Sequence, residues 1–211
     1  MLGPDLPGLT REPVVIAGAG TGFGLAALIW RAEGAAQVVA SEGGHAAFAP
    51  TDELEIEILR GLARRYGRVS IERVLSGPGL QALHAVLGEI GGEAVDAELT
   101  SEQVVERALA RSDGLCALAV QRFCAIFGSV AGDAALTFGA RGGVFLAGGL
   151  TEGLGDQLAG GQFRARFEAK GRLSALVESV PTRLVTQPHT ALLGAARIAR
   201  RLSPQAFQIS N

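Results

Sequence analysis

Two groups of residues have types and spacings suited to chemistry. The first is a pair of strand-to-glycine turns. Val14-Val15-Ile16-Ala17 reads as a buried strand and runs into Gly18-Ala19-Gly20-Thr21-Gly22-Phe23-Gly24. With no Cβ in the way, backbone N–H groups of such a turn can converge on an anion. Thr21 adds a hydroxyl able to donate to a phosphate oxygen. Val144-Phe145-Leu146-Ala147 followed by Gly148-Gly149 repeats the pattern. Either alone reads better as a tight turn at a strand end; two in one domain narrow that difference. Neither is a common phosphate fingerprint. The only lysine is Lys170, which excludes a P-loop. A Gly-x-Gly-x-x-Gly frame fails at Phe23 or Leu25.

The second group is Glu42-Gly43-Gly44-His45, with Glu72 further on. A carboxylate and an imidazole three apart across two glycines can converge on one small polar ligand. A sugar suits them, since the carboxylate accepts from hydroxyls and histidine donates or accepts. The plain alternative is a solvent-exposed turn. No neighbouring His, Cys or Asp cluster completes a metal shell in the sequence, so no metal site is expected. Glu72 stands among Ile71, Val74 and Leu75, next to Gly77-Pro78-Gly79, which reads as a rigid turn. His84 and His189 lie in no motif.

Composition sets the class around these residues. A chain of 211 residues with 48% apolar content is long enough for a real core. A formal net charge of -2 argues against a nucleic-acid partner held by charge. Cys116 and Cys124 fit neither a zinc knuckle nor a redox pair and read as reduced core thiols. Residues 1–11 lack an apolar leader, and Arg122 and Asp133 interrupt the longest apolar run. The expectation is a cytoplasmic protein without a membrane span.

The elements that must position the chemistry alternate between strand and helix, which implies an α/β domain. Residues 25–30 read as either a hairpin return strand or the start of a helix, and 36–40 as a short strand, with a turn at 31–34. Thr51 is the expected N-cap of a helix reaching Tyr66, with Leu54, Ile58 and Leu62 on one stripe and Gly67 as its stop. A helix is expected over 80–87, and a capping box, Thr100 with Gln103, opens another over 100–110. A long core helix over 113–138, a polar helix over 163–171, a last strand at Leu184-Val185 and a helix over 190–202 complete the reading.

Four segments, taken in order, resemble the bacterial glucokinase family, of the actin-like, hexokinase-type ATPase fold (RNase H-like). They are Gly18-Ala19-Gly20-Thr21-Gly22, Glu42-Gly43-Gly44-His45, Glu72-Arg73-Val74-Leu75-Ser76-Gly77-Pro78-Gly79-Leu80 and Gly142-Gly143-Val144-Phe145-Leu146-Ala147-Gly148-Gly149. Leu192-Leu193-Gly194-Ala195-Ala196 adds a similar turn of helix near the end. The resemblance implies a large lobe with a mixed sheet and packed helices. It implies that Gly18, Gly20, Thr21 and Gly22 hold phosphate and that Gly148 and Gly149 lie beside the adenosine. It gives Glu42, His45 and Glu72 the role of binding glucose hydroxyls. The implied reaction, at the entry to glycolysis, moves the ATP γ-phosphoryl group to the 6-hydroxyl of glucose, with Mg²⁺ carried by the nucleotide.

Two family segments have no match here: a first phosphate loop of the form Asp-x-Gly-Gly-Thr-Asn, and an Asn-Asp-Phe segment carrying the catalytic Asp. The only asparagine is Asn211, so neither is hidden elsewhere. The organisation expected is a linker or truncated start at 1–13 and a large domain at 14–188. A helix at 189–203 that belongs with the absent small lobe and a tail at 204–211 follow. The apolar face of that helix, with Ala191, Leu192, Ala195, Ile198 and Leu202, is then expected to lie exposed or to meet a partner. The chain alone is expected to lack useful kinase activity, with no catalytic residue of its own. The alternatives are a non-catalytic sugar-binding or regulatory module, and one half of a split kinase whose N-terminal lobe is a separate chain. A hexose other than glucose and a homodimer both remain open.

Overall fold

A computed structural model describes residues 1–31 and 34–202. Five strands form one mixed sheet in the order β3-β2-β1-β4-β5: β1 Val14–Ala19, β2 Phe23–Trp30, β3 Ala36–Ser41, β4 Gly143–Ala147 and β5 Thr182–Leu184. The first three are antiparallel neighbours, whereas β4 and β5 run parallel to β1. Residues 25–30 are thus the hairpin's return strand, with Ala19 opposite Phe23 and Val14 opposite Leu28. Arg31 and Gly34 close the following turn through Gly34 N–H to Arg31 O at 2.8 Å, while Ala32 and Glu33 lie outside the described residues.

One face of the sheet is the core face. Val15, Ala17, Ala19, Phe23 and Ala27 are buried on it, and the helix α4, Gly114–Phe138, packs across it. Phe23 meets Phe127 of α4 edge-on with ring centroids 5.5 Å apart, and Phe127 meets Phe163 at 5.8 Å. Such pairs add roughly 0.5–1.5 kcal/mol each beyond area burial. On the opposite face Ile16, Trp30 and Val38 are exposed. Val14 to Ala17 is therefore a half-buried strand and not one buried on both sides. By length and composition α4 would cross a membrane, but 67% of its most apolar window is buried inside the protein.

The remaining helices pack around the core, except the last, which is exposed over residues 190–198. They are α1 Glu53–Tyr66, α2 Gly77–Gly91, α3 Ser101–Leu109, α5 Gly149–Gly153, α6 Gly155–Gly160, α7 Phe163–Glu168, α8 Ser174–Glu178 and α9 Thr190–Leu202. The capping box of α3 forms as the spacing predicts. Four local expectations change. The cap of α1 is Asp52, whose carboxylate accepts from Glu55 N–H, in place of Thr51. Gly77-Pro78-Gly79 is not a turn but the first turn of α2: the Ser76 hydroxyl accepts from Gly79 N–H at 3.0 Å, and a proline in a first helical turn gives up no bond. The polar helix at 163 stops at Glu168, short of Gly171. The start of the chain is tied down, with Leu2 1% exposed and its N–H donating to Thr182 O at 3.0 Å. The tail at 204–211 lies outside the described residues.

A charge cluster joins α1 to the core. Glu55 is 1% exposed and pairs with Arg166 at 2.5 Å, while Asp52 pairs with Arg122 at 2.8 Å and Arg166 at 3.1 Å. Burial acts to raise the Asp52 carboxyl, but the Glu55 amide and the two guanidiniums outweigh it and hold the group below its ordinary 3.8. Its contribution to stability is therefore complete above that ordinary value and is lost as pH falls through the lower, folded one. Asp52→Asn, which keeps the cap, is expected to flatten the acid limb of a stability-against-pH curve. Arg166→Met strands the buried Glu55 and is expected to cost about 3–5 kcal/mol in urea titrations, most of it recovered by adding Glu55→Leu.

Candidate functional site

The two glycine turns stand side by side because β1 and β4 are parallel neighbours. Gly18 is opposite Ala147, so both strands end at the same edge of the sheet. In open α/β sheets that edge is where ligands bind. The approach is close: a Cβ on Gly18 would lie 2.7 Å from Ala147 O, and one on Gly148 would lie 2.5 Å from Ala19 O. Gly148 also has φ +101°, a conformation that side chains disfavour. Gly20 and Gly149 differ, since a Cβ on either would meet nothing within 4 Å. Packing requires glycine at the first pair and leaves open space above the second.

The first turn also carries unpaired donors. Gly20 N–H is turned inward onto Gly22 O at 2.9 Å, whereas the amides of Thr21 and Gly22 find no backbone acceptor among the described residues. The Thr21 side chain is exposed. From behind, Thr151 braces the turn. It is fully buried, and its hydroxyl lies 3.1 Å from Ala19 N and 3.3 Å from Ala19 O. Sequence reasoning missed Thr151, since a lone threonine in a glycine-rich stretch shows no sign of a partner 132 positions away.

Phe23 to Leu25, just past the first turn, forms the spine of the second group. Phe23 N–H donates to Glu72 Oε2 at 2.9 Å, and the other carboxylate oxygen makes no bond to the described residues. Leu25 pairs with Glu42 in an isolated parallel bridge. A Cβ on Gly44 would lie 2.2 Å from Phe23 O, so only glycine lets the Glu42–His45 segment pack here. The residues beyond His45 then pair with those before Glu72 through Ile71 N–H to Ala46 O at 2.9 Å. The structure thus brings Glu42, His45 and Glu72 to one end of β2. Glu42 and His45 approach to 4.0 Å, with side chains 91% and 59% exposed, so solvent reaches both.

Glu72 is placed by its own local structure. It lies in a 3₁₀ turn, Ile71–Arg73, capped by Ser70, and its carbonyl accepts from the Ser76 hydroxyl at 2.8 Å. Gly77 N–H donates to Gly20 O at 2.8 Å, which docks the start of α2 onto the first glycine turn. Thr21, Glu72, Arg73, Ser76 and Gly79 line a cleft of about 160 Å³ between the first glycine turn and Glu72. The arrangement therefore offers free amides and a hydroxyl on one side and a half-fixed carboxylate on the other, with a small cleft between.

The chain has extensive relatives. A family profile described as Glucokinase matches residues 5–202. The chain is 57% identical over 183 residues to the glucokinase of Caulobacter sp. (strain K31), covering 87% of this chain and 55% of that one. It is 52% identical over 195 residues to the glucokinase of Caulobacter vibrioides (strain NA1000 / CB15N), covering 91% and 58%. The crystal structure of a glucokinase from an Antarctic psychrotroph superposes with a TM-score of 0.86 at 34% identity, over 92% of this chain and 60% of that one. A ROK family glucokinase from Streptomyces griseus, in complex with glucose and AMPPNP, shares the fold with a TM-score of 0.59 at 20% identity, over 92% and 62%.

The glycines provide a direct test. Gly20→Ala and Gly149→Ala are expected to change stability by no more than about 0.5 kcal/mol in urea titrations. Gly148→Ala is expected to cost more than about 2 kcal/mol, from strain and a backbone clash together. Thr151→Val, which removes the brace from a buried amide, is expected to cost about 1–3 kcal/mol.

Proposed function

The chain belongs to the glucokinase family, and from that premise we propose that it supplies one wall of a hexose kinase site. The reaction is transfer of the ATP γ-phosphoryl group to the 6-hydroxyl of D-glucose. The observation that carries this reading is the convergence of both glycine turns and the Glu42, His45 and Glu72 segments on one sheet edge. The Streptomyces griseus relative's complex with glucose and AMPPNP supports the same pair of ligands.

In this reading the Thr21 and Gly22 amides and the Thr21 hydroxyl hold phosphate oxygens. Gly18 and Gly148 let the two backbones pack closely, while Gly20 leaves room for the phosphates and Gly149, beside Gly148, for the adenosine. Glu72 has one oxygen fixed by Phe23 N–H, which leaves the other to accept from a sugar hydroxyl. Glu42 and His45 bind further hydroxyls from the outer rim. Phosphoryl transfer rests on positioning and charge neutralisation more than on covalent chemistry by the protein. We assign the Mg²⁺ that the reaction uses to the nucleotide.

The chain spans 55% and 58% of the length of the two Caulobacter relatives. We assign the catalytic base and the first phosphate loop to the part of those relatives that this sequence does not span. An uncovered surface supports a second lobe. The exposed sheet residues Trp30 and Val38 share a cleft of about 620 Å³ with Gly194, Arg197 and Ile198 of α9, and Leu192 and Leu193 are also exposed. Covering such a face from a separate polypeptide, from a longer form of the chain or from a second copy are forms of the same requirement.

The purified chain, given glucose and MgATP in a coupled assay, is expected to form no glucose 6-phosphate above background. Supplying the unspanned N-terminal part of the Caulobacter sp. glucokinase, fused or as a second polypeptide, is expected to restore turnover. In the restored enzyme Glu72→Gln is expected to lower kcat/KM by about 100-fold or more. Turnover by the chain alone would refute the assignment of the base. Normal kcat/KM in the Glu72→Gln enzyme would refute the sugar-binding role.

A further inference from the structure

Away from the glycine turns, the fold gathers three side chains that no motif links. His84 of α2, Asp113 at the cap of α4 and Cys116 in the first turn of α4 place one ligand atom each within 4.8 Å of one another. His84 is 4% exposed and Cys116 is fully buried. His84 makes no side-chain hydrogen bond to the described residues, and its ring nitrogens are not among the buried unpaired atoms, so they keep some contact with solvent. Asp113 Oδ1 accepts from the amides of Leu115 at 2.9 Å and Cys116 at 3.0 Å, which fixes the carboxylate's orientation. Its Oδ2 has only a loose approach to Arg107 Nη1 at 4.0 Å.

We propose that His84, Asp113 and Cys116 form a binding site for a zinc-class divalent cation that fastens α2 to α4. The donor chemistry selects the ion. One thiolate, one imidazole and one carboxylate suit zinc and its spectroscopic substitute cobalt, and do not suit magnesium or calcium, which want oxygen ligands. Binding forms a metal–sulfur bond as the Cys116 thiol gives up its proton to solvent. With the thiolate and carboxylate each contributing one negative charge and the imidazole neutral, the loaded site carries no net charge, which suits a buried position. Burial and the neighbouring Asp113 carboxylate push the free Cys116 thiol up to about 11, so the thiolate forms as the metal displaces the proton.

Geometry requires a small closure. Metal bonds of about 2.0–2.3 Å in a tetrahedron put ligand atoms roughly 3.3–3.6 Å apart, so the set must draw together by roughly 1 Å. The loose pairing with Arg107, whose side chain is 43% exposed, leaves Oδ2 available for that movement. Water fills the fourth position. The site is structurally coupled to the glycine turns, since α2 begins at Gly77, whose N–H holds Gly20 O.

The test uses the tag-free full chain, stripped with a chelator and titrated with Zn²⁺ and with Co²⁺. One equivalent of Zn²⁺ is expected to bind and to raise Tm, and Co²⁺ is expected to give a thiolate-to-metal charge-transfer band in the near ultraviolet. Cys116→Ala is expected to abolish the band and weaken Zn²⁺ binding by about 100-fold or more. Asp113→Asn keeps a good helix cap while removing the anionic ligand, so it is expected to weaken binding in a folded protein. Cys124→Ala removes the other buried thiol and is expected to leave the band unchanged. The absence of a thiolate band, or Zn²⁺ affinity that survives both Cys116→Ala and Asp113→Asn, would overturn the proposal.

Discussion

The close parallel contact between the ends of β1 and β4 is the constraint on which the rest of the site depends. At Gly18 and Gly148 the two backbones come within a distance that no Cβ would allow. That contact sets the two glycine turns at one height on the sheet edge. It is held from behind by a single buried hydroxyl, Thr151, which satisfies the backbone of Ala19 where the ladder stops. A turn braced in this way keeps its backbone in place without help from a ligand, which is the kind of preorganisation that favours tight positioning of charge.

The second group of residues depends on the first through a short piece of backbone. Phe23 serves the core with its ring, Glu72 with its N–H and Gly44 with its carbonyl surface. Anything that shifts the hairpin turn therefore shifts the carboxylate and the Glu42–His45 segment together. The start of α2 adds a further tie, through Gly77 to Gly20. The residues proposed to hold phosphate and those proposed to hold sugar share one support, as a transfer reaction between two bound groups requires.

The sheet itself is asymmetric. Its core face is sealed by α4 and a run of phenylalanines, while the opposite face leaves Ile16, Trp30 and Val38 in solvent with α9 alongside. All-parallel sheets have both faces covered, whereas antiparallel strands such as β2 and β3 can leave one face to solvent. The family relation and this uncovered face are the two grounds on which a second surface opposite the site is proposed.

Much of this was legible in the sequence, where local physics decides. Strand-to-glycine transitions, the Thr100–Gln103 capping box and the apolar length of α4 each appear as patterns within a few residues, and each took the form expected. The Gly77-Pro78-Gly79 segment misled because glycine and proline mark turns and helix starts alike; Ser76 as cap tipped the balance. The four family-like segments were legible as separate pieces. Only the tertiary structure decided that β4 lies beside β1 and that Thr151 reaches Ala19. It also brought His84 within reach of Asp113 and Cys116. Those outcomes depend on pairing between positions far apart in the chain, set by burial of the core face, and no local spacing encodes them.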